Sequence, residues 1–251
     1  MNAPPSAASR DVEIFYRFSR SEDGIPASEK TLFILGGRPP ERGWASEVAS
    51  RNSARVWAVD SGVSACRTAG LVPSALIGDR DSAPQDDWEW GASLGAREYI
   101  YDRNKDKTDF QLAMSIFKRE TDQSRSLCAS ALIVSGCFGG AFDHQASVFY
   151  TLAFSGGEFF RCMMDEREGL FFLFSGDRAE LEFSRPPKAV SLLPVADVCR
   201  GVSVSGVKWP LEHVILERKF PWTVSNEINA SSEPVAVTCE DGLLALYWRF
   251  Y

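Results

Sequence analysis

Between residues 31 and 155 the sequence alternates short apolar runs with stretches of helical periodicity. Apolar residues recur at helical spacing over 107–120 and again over 143–155. Strand followed by helix followed by strand, in this order, predicts a parallel sheet with helices on both faces. We therefore expect a three-layer α/β unit. The predicted strands are "TLFILGG" (31–37), "ARVWAVDSG" (54–62), "SALIGDRDS" (74–82), "AREYIYD" (96–102) and "SALIVSGCFGG" (130–140).

After about residue 160 the rhythm changes to short β-rich runs separated by Gly, Pro and Asp. Their spacing of about ten residues is typical of an antiparallel β-sandwich. The sequence thus predicts three parts: a flexible N-terminal tail at 1–27, a mainly parallel α/β domain at 28–160, and an antiparallel β-sandwich at 161–251.

Composition excludes several classes of function. The net charge of -7 disfavours a nucleic-acid partner, because phosphate binding depends on surplus Lys and Arg. No apolar run approaches the length of about 18 residues that a membrane span needs, and the start "MNAPPSAASR" lacks the apolar segment of a secretory signal. The 6 cysteines are scattered without a CxxC pair, and only 2 histidines are present. We expect a cytoplasmic protein with reduced thiols and no zinc site.

Glycines and carboxylates follow the predicted strands at their carboxyl ends, where open α/β sheets bind ligands. Glycines let backbone N–H groups approach phosphate oxygens, and closely spaced carboxylates such as those of "GDRDS" suit a divalent cation. The residues concerned are Gly36, Gly37 and Arg38; Asp60, Ser61 and Gly62; Gly78, Asp79, Asp81 and Ser82; Asp102, Lys105 and Asp106; and Gly136, Gly139, Gly140, Asp143 and His144.

Each of these signals has a structural alternative. Thr108 and Asp109 suit the first turn of a helix, Asp60 and the glycines suit turns, and His144 suits a helix start. The sequence lacks GxxxxGK[ST], a GxGxxG after a strand, and GxSxG. A Walker-type kinase, a dinucleotide dehydrogenase and an α/β-hydrolase are therefore disfavoured.

The motifs "VDSG", "GDRDS", "KDKTDFQLAM", "GCFGGAFDH", "SGVKWPL" and "SNE", in this order, resemble the thiamine pyrophosphokinase family. The resemblance implies transfer of the pyrophosphoryl group of ATP to the hydroxyethyl group of thiamine, with Mg²⁺, giving thiamine diphosphate and AMP. It assigns catalysis and the binding of ATP and magnesium to the α/β domain at 28–160, and thiamine binding and dimerisation to the sandwich at 161–251. It also implies a homodimer, with each thiamine site between the α/β domain of one subunit and the sandwich of the other.

The resemblance also implies roles for individual residues. Magnesium would be held by Asp79, Asp81 and Asp109, with Asp60 as a further catalytic carboxylate. The ATP and phosphate site would comprise Gly36, Gly37, Arg80, Asp106, Lys107, Thr108, Gly139, Gly140, Asp143 and His144. Thiamine would meet Trp222, Ser225 and Asn226.

Two positions depart from the family pattern. Ser61 stands where the family often has glycine, and Ala141 stands where it often has an arginine. We expect Arg38 or Arg80 to replace that missing cation, and Asp60 or Asp106 to accept the hydroxyl proton. The departures leave two alternatives open: a pyrophosphokinase for another hydroxymethyl heterocycle such as a pterin, and a catalytically idle thiamine or nucleotide sensor.

Overall fold

A computed structural model describes residues 14–18, 29–123, 130–156, 159–183, 185–229 and 234–251 of the chain. The helices are α1 (Arg42–Arg51), α2 (Gly62–Ala69), α3 (Gln85–Ser93), α4 (Asp109–Gln123) and α5 (Phe142–Phe154). The strands are β1 (Ile14–Phe18), β2 (Glu29–Ile34), β3 (Arg55–Val59), β4 (Ala75–Gly78), β5 (Arg97–Ile100), β6 (Ser130–Ser135), β7 (Phe160–Met164), β8 (Glu168–Phe174), β9 (Asp177–Phe183), β10 (Ala189–Pro194), β11 (Val198–Ser205), β12 (Leu211–Glu217), β13 (Val235–Cys239) and β14 (Leu243–Arg249).

A nine-stranded sheet forms the centre of the molecule, with its strands in the order β10-β14-β8-β7-β6-β2-β3-β4-β5. All pairs from β7 to β5 are parallel, and the pairs β7–β8, β8–β14 and β14–β10 are antiparallel. Helices cover both faces of the parallel part, so the predicted three-layer α/β unit is confirmed. Trp44, Val63 and Trp88 pack on one face, whereas Phe110 and Phe117 pack on the other.

The strand order reverses next to β2. The chain moves outward from β2 through β3 and β4 to β5, and then returns to place β6 on the opposite side of β2. A crevice opens at such a reversal, because the connections after the two neighbouring strands leave in opposite directions. In this chain the glycine-containing segments after β2 and after β6 meet at that point.

The C-terminal part forms the predicted antiparallel sandwich. A second sheet, with five antiparallel strands in the order β1-β9-β13-β11-β12, packs on the antiparallel end of the large sheet. Its buried residues include Leu181, Val202 and Val237, and they belong to the same apolar cluster as Leu192 and Trp248 of the large sheet. The predicted domain boundary at 160/161 falls inside β7, which is hydrogen-bonded on both sides, so the division into two domains stays a prediction.

Two parts of the prediction need correction. Ile14–Phe18, within the segment predicted to be a flexible tail, forms β1 and pairs antiparallel with β9. "IFYRF" is rich in residues that favour strands, and it completes one edge of the five-stranded sheet. The other residues of 1–27 lie outside the described residues. Sequence reasoning also missed α3, whose apolar residues Trp88 and Gly91 are buried in a largely polar segment.

No helix in the described part of the chain is both long enough and apolar enough to cross a membrane.

A glycine brings β2 and β6 together at the crevice. Gly136 has φ +69°, and a Cβ atom there would lie 2.2 Å from the carbonyl oxygen of Leu35. Gly70 has nearly the same backbone angle, φ +70°, but a Cβ atom there would have its nearest neighbour, Arg42 Nη2, 3.7 Å away. The two glycines therefore separate the cost of the backbone angle from the cost of a clash.

We predict that Gly136→Ala destabilises the fold more than Gly70→Ala. The left-handed angle costs roughly 1–2 kcal/mol at either position, and the clash at Gly136 adds roughly 1–3 kcal/mol. Urea unfolding of both variants measures the difference in the free energy of unfolding. Equal losses in the two variants would contradict the close approach of Leu35 and Gly136.

Candidate active site

A cleft of about 520 Å³ opens at the crevice beside β2. It brings together nine of the residues predicted for the site: Gly36, Gly37, Asp60, Thr108, Asp109, Gly139, Gly140, Asp143 and His144. Ser61, expected at a strand end without an assigned role, also lines the cleft, as do Gln145 and Ser147, which were not predicted. Gln145 and Ser147 lie within α5, where nothing in the sequence distinguishes them from ordinary surface residues.

Backbone hydrogen bonds join the two glycine-containing segments. The N–H of Gly37 donates to the carbonyl of Gly136, and the N–H of Arg38 donates to the carbonyl of Phe138, both at 2.7 Å. The β2–β6 ladder thus continues beyond the strand ends into the wall of the cleft. The peptide groups around Gly36 and Gly37 are fixed in place before any ligand binds.

Lys105 links two of the predicted carboxylates. Its Nζ lies 3.2 Å from Asp79 Oδ2 and 3.0 Å from Asp109 Oδ1, and all three side chains are mostly buried. Burial alone would lower the pKa of Lys105, but the hydrogen bonds and charges of Asp109 and Asp79 outweigh it and raise that pKa. The pKa of Asp79 is lowered, first by the backbone N–H of Asp81 and then by Lys105. Sequence reasoning placed Lys105 near the strand ends but gave it no role.

Asp60 lies beside Asp79, Lys105 and Asp109, in an environment that disfavours its charged form. Its Oδ1 atom is buried and has no hydrogen-bond partner among the described residues, and its backbone has φ +58°. Burial, followed by the negative charges of Asp109 and Asp79, raises the pKa of Asp60 to about 6, against the opposing effect of Lys105. A strained backbone and an unpaired carboxylate in a cleft are features of a functional site.

Five residues predicted for the metal or phosphate site lie outside the lining of the cleft: Asp79, which Lys105 links to Asp109, and Arg80, Asp81, Asp106 and Lys107. Asp81 is exposed, and its carboxylate lies 3.2 Å from Arg103 Nη1. Arg80 pairs with Glu98, and its guanidinium lies 5.4 Å from the ring centre of Trp88. Asp106 and Lys107 are exposed in the segment before α4. Their predicted roles stay predictions.

Neither arginine expected to replace the missing cation faces the cleft as a free group. Arg38 hydrogen-bonds to Asp165 and Glu168, just as Arg80 pairs with Glu98. The N-terminus of α5 therefore presents Ala141, Asp143 and His144 to the cleft without a replacement guanidinium. The pairing partners lie far away in sequence, which is why the pattern at 136–144 did not reveal them.

Thr108 serves as a helix cap as well as lining the cleft. Its Oγ1 accepts from the N–H of Gln111 at 3.2 Å, and its own N–H donates to Gln111 Oε1 at 3.1 Å. This reciprocal capping box fixes the first turn of α4 and so holds Asp109 at the cleft. The capping alternative for Thr108 is confirmed, and it is compatible with a place in the site.

Ser61 packs directly against Gly36, just before α2 begins. A Cβ atom at Gly36 would lie 2.0 Å from Ser61 Oγ, so the hydroxyl sits directly against the backbone of Gly36. Ser61 precedes α2 but makes no side-chain capping hydrogen bond. Its hydroxyl is therefore placed at the cleft, near the positive end of a helix dipole.

The sandwich holds a second pocket, of about 300 Å³, with mostly apolar walls. Trp222 and Asn226, both predicted to meet thiamine, line it, as does Trp209, which was not predicted. Both tryptophans are more than half exposed. The sequence signal that could have identified Trp209 is its place in the motif "SGVKWPL". No residue lines both this pocket and the cleft.

Asn226 and Ser225 have structural roles at this pocket. The Asn226 amide accepts from Trp209 N at 3.2 Å and donates to Trp209 O at 2.8 Å, so it fixes the backbone beside the indole. Ser225 has φ +59°, donates its N–H to Ser191 Oγ, and is absent from the pocket wall. Their predicted contact with thiamine stays a prediction.

The carboxylate group fits a divalent cation chemically. Asp60 offers an unpaired buried oxygen, and Asp79 and Asp109 already share the positive charge of Lys105. Within the described ranges, no three Asp, Glu, His or Cys side chains are close enough to coordinate a metal ion in their present positions. The interactions of Lys105 and Arg103 with these aspartates account for that spacing, because each holds a carboxylate that a cation could take.

Comparison with known proteins covers both halves of the chain. The model described as "Thiamin pyrophosphokinase, catalytic domain" matches residues 47–159, and "Thiamin pyrophosphokinase, vitamin B1 binding domain" matches residues 179–244. The thiamine pyrophosphokinase of Bacillus subtilis is 21% identical over 205 residues, which span 79% of this chain and 90% of that protein.

Solved structures agree on the fold. The crystal structure of thiamine pyrophosphokinase from Bacillus subtilis has a TM-score of 0.70 at 17% identity, covering 89% of this chain and 100% of that chain. The crystal structure of the yeast enzyme has a TM-score of 0.68 at 16% identity, covering 88% of this chain and 86% of that chain. Because both domains of one enzyme match in their proper order, on a fold that these structures share, the chain belongs to the thiamin pyrophosphokinase family.

Proposed function

We propose that this chain transfers the pyrophosphoryl group of ATP to the hydroxyethyl oxygen of thiamine at the cleft beside β2. The observation that carries the assignment is the Asp60 carboxylate beside a glycine-lined cleft: its buried Oδ1 has no hydrogen-bond partner among the described residues, and the charges of Asp109 and Asp79 act on it. A fold gains nothing from such a group of like charges unless a cation joins it. Mg²⁺ would complement the carboxylates, and the phosphates of ATP would complement the glycine-lined cleft.

The cleft offers mainly neutral donors to the triphosphate. Backbone N–H groups of the glycine-containing segments and the hydroxyls of Ser61, Thr108 and Ser147 line the cleft, together with His144 in the first turn of α5. Dipolar groups of this kind bind phosphate well when they are fixed in advance. We infer that this chain relies on them, since Arg38 and Arg80 are both engaged with carboxylates.

Magnesium would be held by Asp79, Asp81 and Asp109, and when bound it supplies neutralisation of the charge on the phosphates. Lys105 balances Asp79 and Asp109 in its absence, since its amine contacts both. Asp81 would join after leaving Arg103, with which it forms an exposed ion pair. Asp60 stays adjacent and free to act on the substrate hydroxyl.

In the reaction the thiamine hydroxyl oxygen forms a bond to the β-phosphorus of ATP, and the bond from that phosphorus to the oxygen it shares with the α-phosphorus breaks. AMP leaves with that oxygen and the bonding electron pair. The hydroxyl proton passes to Asp60, whose pKa of about 6 suits a group that accepts and then releases a proton near neutral pH. Asp106, the other candidate, is exposed and outside the lining of the cleft.

The apolar pocket of the sandwich is proposed to bind thiamine. The indoles of Trp209 and Trp222 offer faces on which a cationic heteroaromatic ring can stack. Asn226 holds Trp209 in position, and Ser225 holds the segment that carries Trp222 against β10. This assignment makes Asn226 a positioning residue for the pocket.

A homodimer with shared sites would bring the two pockets together. No residue lines both of them, yet phosphoryl transfer needs the acceptor oxygen close to the phosphorus. Phe142, Tyr150 and Phe154 are strongly exposed on α5 beside the cleft, and Phe220 is strongly exposed near the sandwich pocket. Apolar surfaces at both places suit a symmetric contact between two copies.

We also propose a cytoplasmic location. Cys66, Cys137, Cys162, Cys199 and Cys239 are free and buried, as expected in a reducing compartment. Cys128 lies outside the described residues.

We predict that Asp79→Asn, Asp81→Asn and Asp109→Asn each reduce AMP formation from ATP and thiamine about 10²–10⁴-fold, because each removes a charge that balances magnesium. Each variant should also weaken binding of Mn²⁺, measured by electron paramagnetic resonance. The exposed Asp86→Asn in the first turn of α3 is the control. Near-normal Mn²⁺ binding in the Asp81 variant would remove that residue from the metal site, and absence of AMP in the wild type would favour the idle sensor.

We predict that Asp60→Asn stabilises the metal-free protein at pH 7 by about 1 kcal/mol, a figure reduced for partial solvent exposure. The folded-state pKa of about 6 lies above the ordinary aspartate value, so the stability from this group is fully present at pH 4 and is lost as pH rises through 6. The gain from the substitution should therefore disappear at pH 4. Urea unfolding in a chelating buffer at both pH values measures it, and an equal gain at both would contradict the assignment.

We predict that mixing two inactive variants restores activity if sites are shared. In a mixture of Asp109→Asn with Trp222→Ala, half of the dimers are mixed and one of their two sites is intact, so about a quarter of the wild-type activity should return. Each variant mixed with itself is the control, and light scattering gives the oligomeric state. A dimer that shows no recovery would place each site within one subunit.

A further inference from the structure

A group of four side chains lies behind the cleft, outside the residues that line it. Arg38 donates from Nε and Nη2 to Asp165 Oδ2, at 3.0 and 2.5 Å, and from Nη2 to Glu168 Oε1 at 2.5 Å. Tyr247 donates from its hydroxyl to Glu168 Oε2 at 2.6 Å. We call Arg38, Asp165, Glu168 and Tyr247 the rear cluster.

The rear cluster is built around a buried charge. The Asp165 side chain is 1% exposed, and its second oxygen accepts the N–H groups of Arg167 and Glu168 at 2.9 and 3.0 Å. Burial raises the pKa of Asp165, and the hydrogen bond from Arg38 opposes that rise. A buried carboxylate of this kind depends on its partner, because removal of one member leaves an unpaired charge in the interior.

Arg38 connects the rear cluster directly to the wall of the cleft. It follows Gly36 and Gly37 in sequence, and its N–H donates to the carbonyl of Phe138 at 2.7 Å. Its Cβ lies so close to the backbone opposite that a Cβ atom at Gly139 would be 3.0 Å away. One residue therefore touches both glycine-containing segments on one side and the β7–β8 turn on the other.

A second contact holds the same segment. The N–H of Glu41, three residues beyond Arg38, donates to Glu166 Oε2 at 2.9 Å. The β7–β8 turn therefore contacts the segment after β2 at two residues, Arg38 and Glu41. The turn belongs to the part of the large sheet that continues into the sandwich.

We propose that the rear cluster is a positioning device for the nucleotide: Asp165 and Glu168 fix Arg38 and thereby hold Gly36 and Gly37 in the conformation that binds the triphosphate. The inference rests on the proposed place of ATP in the cleft. Arg38 acts through the backbone of its own segment and does not touch the phosphates. The planar guanidinium is needed because it serves two carboxylates at once, which a lysine amine does less well.

The geometry argues against direct action of Arg38 on the nucleotide. Its guanidinium faces two carboxylates, so the three groups together carry a net negative charge. Arg38 is absent from the lining of the cleft, whereas Gly36 and Gly37 are part of it. The two roles predict opposite effects for a variant that frees the arginine, and this provides the test.

The experiment compares Arg38→Lys, Asp165→Asn and Tyr247→Phe with Asp197→Asn. The control removes a carboxylate from the exposed ion pair with Arg218, which takes no part in the cleft. Steady-state kinetics give KM for ATP and for thiamine, and calorimetry gives Kd for α,β-methylene ATP. We expect Arg38→Lys and Asp165→Asn to raise the ATP KM and the analogue Kd about tenfold, with the thiamine KM unchanged. Tyr247→Phe acts on Glu168 only and should give a smaller shift in the same direction.

The double variant Arg38→Lys with Asp165→Asn adds a second criterion. Members of one network are not additive, so its analogue Kd should be no weaker than that of the poorer single variant. Thermal unfolding of every variant identifies any that fail to fold, and Tyr247→Phe, which leaves the Arg38–Asp165 pair intact, then carries the test alone.

Two results would overturn the proposal. An unchanged or lower ATP KM in Asp165→Asn together with a raised one in Arg38→Lys would show that freed Arg38 acts on the nucleotide itself. Loss of thermal stability with wild-type ATP parameters in all three variants would show a structural role only. Hydrogen exchange of the wild type with the analogue keeps the two proposals apart: protection at 36–38 and 136–145 supports the cleft whatever the variants do, whereas protection elsewhere removes the assignment of the cleft.

Discussion

The pairing of β2 with β6 is the constraint on which the site depends. It reverses the strand order, so the segments after these strands diverge around a crevice. The ladder continues beyond the strands through hydrogen bonds to Gly136 and Phe138, and Gly136 permits the approach because any side chain there would meet the Leu35 carbonyl. The same contacts that close the core therefore also define the wall of the cleft.

Electrostatics at the cleft oppose the stability of the empty fold. Asp60, Asp79 and Asp109 approach one another, and Lys105 contacts Asp79 and Asp109 directly. Lys105 compensates Asp79 and Asp109 well, but it leaves Asp60 with a raised pKa. The imbalance suits the proposed role of Asp60 as a base, since a fully paired aspartate would be too weak a base near neutral pH.

The sequence predicted the residues that lie at strand ends better than the partners of those residues. Gly36, Asp60 and Asp109 were predictable because parallel strands place their carboxyl ends at one edge. The rear pairing of Arg38 with Asp165 joins residues 127 positions apart, and nothing local marks it. The ion pair of Asp81 with Arg103 and the pairing of β1 with β9 likewise join segments that are distant in the sequence. Long-range pairing decided each of these outcomes.

The continuity of the large sheet has a consequence for how its two ends communicate. β7 is hydrogen-bonded to the parallel strands on one side and to the sandwich strand β8 on the other. The turn between β7 and β8 carries Asp165, which grips Arg38 beside the cleft, and β8 pairs with β14, which carries Tyr247. A shift of the sandwich strands would therefore move the segment at Gly36 and Gly37, because hydrogen bonds join the two through Asp165 and Glu166. The wall of the cleft and the sandwich are thus mechanically coupled, and the order of the cleft depends on the packing of the sandwich.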